Sequence, residues 1–208
     1  MVFLLFALFF AIFLRFYNFS QRIDWVGDGA RDYLVAYHIA KYGEYPVVGP
    51  TASGISNYFY YPPYYYYILS LIPRVNDSLL FFIGVSTLFH ATLVVPIYFI
   101  GKRIGGSASG VFAAILYAVS ASSVANSLSF HGAVFVIPFF VYSLLFYIQA
   151  IQTSNKFLLY LSLSLLAFSS VISYVVLVLM PLIFLHTWIV FKLEFKAKIS
   201  LTYFIAVL

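Results

Sequence analysis

The sequence predicts an all-α integral membrane protein, a polytopic helical bundle of about six spans plus the start of a seventh. Three observations carry that expectation. Of 208 residues, 64% are hydrophobic and 8% charged, whereas a soluble globular domain carries about 25% charged residues, so lipid has to solvate most of this apolar surface. Uncharged runs recur at lengths suited to a hydrocarbon core of about 30 Å. The 24 Phe and 19 Tyr supply rings that settle at bilayer interfaces.

Val2 to Leu14 is apolar, with no basic stretch before it and no small-residue cleavage site after it, which predicts a retained anchor rather than a signal peptide. It reaches about 20 residues by continuing through Phe16, Tyr17 and Phe19, with Arg15 snorkelling to the interface. Leu79 to Ile100 is an uncharged second span ending at Gly101-Lys102-Arg103. Ser107 to Leu128 and Gly132 to Ile151 predict a helical hairpin around Ser129-Phe130-His131, closed by Gln152 to Lys156. Phe157 to Phe191 has no formal charge and would measure roughly 50 Å as one helix, so it divides into two short spans turning near Ser169, Ser170 and Ser173. Ile199 to Leu208 starts another apolar segment and stops inside it, which predicts a chain truncated at its C-terminus.

Gly105, Gly106 and Gly110 follow a basic pair with no strand before them, so they read as a cytoplasmic turn and a helix-packing signal rather than a phosphate loop. His90 and His186 fall inside spans, where a neutral imidazole bonded to a neighbouring helix is expected. On this span count Lys102, Arg103, Lys156, Lys192, Lys196 and Lys198 share one side, the cytoplasm by the positive-inside rule. Residues 20–78 then form an external loop holding five of the six acidic residues, Asp24, Asp28, Asp32, Glu44 and Asp77. The absence of cysteine excludes disulfides, thiolate catalysis and zinc–cysteine sites. The net charge of +5 reads as a topology signal and not as nucleic-acid binding, because no interleaved basic patch is present.

Within the loop, Asp28-Gly-Ala-Arg31-Asp32-Tyr33 leads into apolar positions at helical spacing and ends at Gly43. With Asp28 as N-cap and Gly43 as C-cap, the pattern predicts an amphipathic helix lying on the membrane surface. Pro46, Gly49, Pro50 and Gly54 predict irregular chain, and the block Tyr58 to Tyr67 closes the loop. Tyr64 to Ile72, bracketed by Pro62, Pro63 and Pro73, is too short to span and predicts a half-buried or re-entrant helix.

A first helix ending Leu-Arg-Phe-Tyr, an Asp-x-x-x-Asp loop leading into a surface helix, then Gly-Pro and Tyr-Pro-Pro-Tyr-Tyr-Tyr-Tyr together resemble the N-terminal region of GT-C superfamily membrane glycosyltransferases. The look is closest to the protein O-mannosyltransferase and lipid A aminoarabinose transferase branch, as an ordered pattern over roughly residues 10 to 150. The resemblance implies one transmembrane domain over residues 1–208, with 20–78 as its catalytic-type loop. It implies transfer of a sugar from a polyprenyl- or dolichyl-phosphate donor to a glycan, lipid or protein acceptor at the external face of the cell membrane, with inversion. Neither a metal nor another cofactor is implied. Asp28 matches the essential Asp of those enzymes and is the candidate base. Asp32, Asp24 and His131 are candidates for a second group; Arg31, Lys41 and Arg74 are candidates for the donor phosphate, and Tyr61 and Tyr64 for substrate contact. Two departures stand out: Gly29 replaces the usual Glu after the Asp, and the turn after the third span reads Ser-Phe-His131-Gly, without the second acidic residue many relatives carry.

Plainer roles stand beside these. Asp28 can serve as a helix cap, Asp24 and Asp32 as surface charges with Asp32 on a different helical face from Asp28, and Arg31, Lys41 and Arg74 as interfacial anchors. The tyrosine block can be an aromatic belt. A transporter or flippase of lipid-linked saccharides would place its ionisable groups near mid-membrane at broken helices, whereas here they crowd a loop, which favours the enzyme. A non-catalytic assembly subunit is the third reading.

Overall fold

A computed structural model describes residues 2–25, 27–51 and 60–191. Their regular structure is helical, with two isolated bridges, Asp24 with Ser129 and Thr51 with Tyr60. The chain forms two compact units, residues 1–138 and 139–208. The first holds α1 (Val2–Phe16), α2 (Phe19–Arg22), α3 (Asp28–Tyr42), α4 (Tyr64–Leu69), α5 (Leu71–Val75), α6 (Leu79–Ala91), α7 (Val94–Val119), α8 (Ala121–Leu128) and the start of α9 (Gly132–Thr153). The second holds the rest of α9, α10 (Lys156–Ile172), a 3₁₀ segment Tyr174–Leu179 and α11 (Met180–Phe191).

The expected bundle of about six spans is not what the structure contains. Among the described residues two helical stretches are long and apolar enough to cross a membrane, Leu79–Val119 and Val134–Thr153. α1 does not run on through Tyr17 and Phe19, because Asn18 adopts the left-handed conformation at φ 50° and breaks it at Phe16 after 15 residues. α10 has 17 residues and ends where Ser173 turns extended, and α11 has 12. At 1.5 Å per residue, all three fall short of a hydrocarbon core of about 30 Å. The expected seventh segment at 199–208, with Lys192, Lys196 and Lys198, lies outside the described residues.

Inside Leu79–Val119 the chain reverses at Gly105 and Gly106, and the φ of +83° at Gly106 belongs to a region that side-chain-bearing residues rarely enter. A Cβ added to Gly110 would lie 2.6 Å from the Tyr98 carbonyl oxygen and 3.0 Å from the Lys102 amide nitrogen. Residues 98 and 110 would be about 18 Å apart along a straight helix, so the two arms of α7 pack back to back. The three glycines therefore make the turn and the close helix contact that their sequence pattern predicts.

α1 packs along this hairpin through small residues. Ala7 and Ala11 meet Ala91, Val94, Tyr98, Ala114 and Ala118, and the four-residue spacing of 7/11 and 114/118 lets the backbones approach closely. Arg15 is next on the same stripe, so it points into the contact instead of snorkelling and is 0% exposed. Its Nη1 donates to the carbonyls of Ala11 at 3.1 Å and Ala118 at 3.3 Å, Nη2 donates to Ser123 Oγ at 3.0 Å, and the guanidinium lies 5.1 Å from the Tyr117 ring centre. α7 ends at Val119, and its last carbonyls lack helical partners; Arg15 satisfies one of them from another helix.

His90 and His186 both bond a neighbouring helix as expected from sequence, but only His90 lies in a stretch long enough to span, because His186 sits on the 12-residue α11. His90 Nε2 lies 3.0 Å from the Val134 carbonyl, and in the second unit His186 Nδ1 lies 2.7 Å from the Tyr147 hydroxyl. Each ties its helix to a neighbour.

Candidate functional site

α3 carries the site. It begins after Gly27, whose φ of 58° and ψ of −117° make it the N-cap, so Asp28 is the first helical residue and not the cap. A carboxylate in the first turn still suits the positive end of the helix dipole. The helix ends as expected at Gly43, which takes φ 72° and donates its N–H to the Ile39 carbonyl at 3.1 Å. Its buried residues are Gly29, Asp32, Ala36 and Ile39, spaced three and four apart as one helical face.

Asp32 therefore sits on the buried stripe, with no exposed surface. Arg31 reaches back to donate Nε and Nη2 to Asp32 Oδ1 at 2.9 and 2.7 Å. Tyr65 donates its hydroxyl to Oδ2 at 2.8 Å, and Tyr66 donates to Oδ1 at 3.3 Å. Both tyrosines come from α4, which starts after Pro62-Pro63 and buries them along with Leu69. Burial raises the Asp32 carboxyl above its ordinary value, opposed by the Arg31 charge and by the hydrogen bonds from Arg31, Tyr65 and Tyr66. The same burial, joined by the Asp32 charge, pushes both tyrosine hydroxyls up.

Arg31 also donates Nη1 to Asp28 Oδ1 at 2.7 Å, where the Asp28 side chain is 60% exposed. Asp28 and Asp32 are thus bridged by one guanidinium, Asp28 on the exposed side and Asp32 on the buried stripe, and the expectation of Asp32 as a surface charge is corrected: it lies on the face that packs inward. For Arg31, burial lowers its pKa, but Asp32, Tyr66 and Asp28 outweigh that and the net direction is up.

A Cβ on Gly29 would lie only 2.3 Å from the Phe130 carbonyl oxygen, so the start of α3 is pressed against the 129–130 turn and no side chain fits there. This is the physical reason why Gly stands beside Asp28 and not Glu. Asp24 is exposed and tied to the same turn by its backbone, its N–H donating to the Leu128 carbonyl at 3.1 Å. His131 follows that turn, half-buried, and its carbonyl starts α9 by accepting from Val134 and Phe135.

The remaining candidates lie apart from this network. Lys41 is exposed in the last turn of α3. Arg74, in the last turn of α5, donates Nη2 to the Tyr45 hydroxyl at 2.7 Å. Tyr61 exchanges backbone bonds with Gly49 and Pro50, and Tyr64 is 57% exposed. The expected half-buried helix is present as α4 and α5: Tyr65, Tyr66, Leu69 and Pro73 face inward, and Tyr64, Leu71 and Val75 outward. Gly54 and Tyr58 lie outside the described residues.

Sequence reasoning missed Tyr65 and Tyr66 as the partners of Asp32, and it missed the Arg15 cluster. The signal for the first was available, because the 29/32/36/39 stripe demands partners for its one charged member. In chemical terms the site offers an exposed carboxylate beside a guanidinium whose far edge is held by a buried carboxylate. Comparison with protein-family models, curated proteins and solved structures returns no match for the chain.

Proposed function

We propose that the chain is a GT-C-like membrane glycosyltransferase that moves a sugar from a polyprenyl- or dolichyl-phosphate donor to a hydroxyl of a glycan, lipid or protein. The supporting observation is the Asp28–Arg31–Asp32 arrangement, with Arg31 gripping Asp32 through two nitrogens and meeting Asp28 through the third. Asp28 is the base that takes the acceptor's hydroxyl proton as the acceptor oxygen forms its bond to the anomeric carbon. The bond from that carbon to the phosphate oxygen breaks, and the electron pair leaves on the lipid phosphate. Arg31 meets the growing negative charge with the two N–H donors that Asp28 and Asp32 leave unused. One displacement inverts the anomeric centre.

Purified chain in detergent, given a hexosyl polyprenyl phosphate and mixed glycan and lipid acceptors, should release polyprenyl phosphate and form a glycosylated product. A set of hexosyl donors that all remain intact would reject the reading.

The loop is assigned to the non-cytoplasmic face of the cell membrane. Lys102 and Arg103 sit at the far end of the arm that begins at Leu79, and basic residues mark the cytoplasmic side. Single cysteines replacing Val47, 87% exposed, and Ile104, 80% exposed, should label from opposite faces with an impermeant reagent. Labelling from one face overturns the assignment.

The transporter reading has one observation in its favour, the buried cation Arg15. Its Nη1 and Nη2 are bound to Ala11 in its own helix, to Ala118 at the end of α7 and to Ser123 in the first turn of α8, which is a packing role rather than a translocation site.

A further inference from the structure

A groove of about 540 Å³ opens where α1 ends, floored by Leu14, Val119, Val124 and Leu128 and rimmed by Arg22 and Asp24. Val119 is the last residue of the apolar stretch Leu79–Val119, so the groove runs from apolar wall to polar rim where a bilayer does the same. Arg22 is held in place: its Nη1 donates to the carbonyls of Leu14 at 2.8 Å and Tyr17 at 3.0 Å, both left without helical partners by the break at Asn18. Its Nε and Nη2 are turned to neither carbonyl, and a guanidinium edge binds a phosphate through two nitrogens. Asp24 is fixed by its backbone bond to Leu128. Among the described residues, neither Arg22 nor Asp24 belongs to an ion pair.

We propose that this groove binds a phospholipid with a primary ammonium headgroup, of the phosphatidylethanolamine type. Arg22 takes the phosphate, Asp24 takes the ammonium, and the acyl chain lies on Leu14, Val119, Val124 and Leu128. The complement of two opposite charges that do not pair with each other, above an apolar floor, is a zwitterion on an alkyl chain. An anionic headgroup would satisfy Arg22 but repel Asp24, and a trimethylated one cannot donate hydrogen bonds to the carboxylate. The inference is independent of glycosyl transfer.

The test is native mass spectrometry of the purified chain titrated with dioleoyl phosphatidylethanolamine, phosphatidylcholine and phosphatidylglycerol. Phosphatidylethanolamine should bind about tenfold more tightly than either of the others, the worth of one charge-assisted hydrogen bond. Asp24→Asn should erase that preference while leaving binding of phosphatidylglycerol unweakened. Arg22→Lys, which keeps the charge but loses the fork, should weaken phosphatidylethanolamine by several-fold. Equal binding of the ethanolamine and glycerol lipids by the unmodified chain, or a preference that survives Asp24→Asn, overturns the proposal. Displacement of phosphatidylethanolamine by an equimolar polyprenyl phosphate also overturns it, and would give the groove to a lipid phosphate instead.

Discussion

Replacing Asp28 by Asn is expected to lower sugar turnover by roughly 100-fold or more while the protein stays folded, because Asn keeps the size and polarity of the side chain but cannot accept the acceptor's proton. The structure makes the two effects separable. Gly27 and not Asp28 caps α3, so no cap is lost. The Asp28–Arg31 pair is an exposed one, with side chains 60% and 37% accessible, and such pairs contribute about 0–1 kcal/mol. Melting in detergent should therefore move little while kcat collapses. Arg31→Ala should behave differently: it removes the phosphate contact and also leaves Asp32 buried without its cation, so both donor affinity and melting temperature should fall. Near-normal transfer by a folded Asp28→Asn protein would reject Asp28 as the base.

How much of this was legible in the sequence differs by element, for physical reasons. α3 was legible almost to the residue, because Gly43 in a left-handed conformation and the apolar spacing before it are local signals. The α7 reversal was legible in its glycines. The extent of α1 was not: it is cut at Asn18, a residue that tolerates positive φ but does not demand it, and the aromatic residues Phe16, Tyr17 and Phe19 on either side of it can be read as a continuing interfacial turn. Arg15 was misplaced for a related reason. Its burial depends on Ala7 and Ala11 being small and on the end of α7 lying opposite, a tertiary fact that no single window contains. The link between Asp28 and Asp32 was available in the four-residue spacing, yet the donors Tyr65 and Tyr66 lie 33 and 34 residues away and emerge only when α4 docks.

Asp32→Ala is expected to destabilise the first unit by on the order of 3 kcal/mol, since it strips an acceptor from Arg31 and from two buried tyrosine hydroxyls at once. Asp32→Asn keeps one acceptor and the shape, and should cost less; Tyr65→Phe removes a single donor and should cost about 1 kcal/mol. Thermal unfolding in detergent ranks the three, and a melting temperature for Asp32→Ala equal to wild type would mean that the network does not support α3. The pH dependence has a definite sign. Burial lifts the folded-state value of Asp32 above the ordinary one, so between the two values the folded protein holds a proton that the unfolded chain has released. Stability from this group is then full below the ordinary value, falls as pH rises through the window up to the raised value, and is level above it. Wild type should show that slope and Asp32→Asn should lack it. A slope of opposite sign would mean that Arg31 and the two tyrosine donors outweigh burial, and that Asp32 is held as a carboxylate more firmly than its surroundings imply.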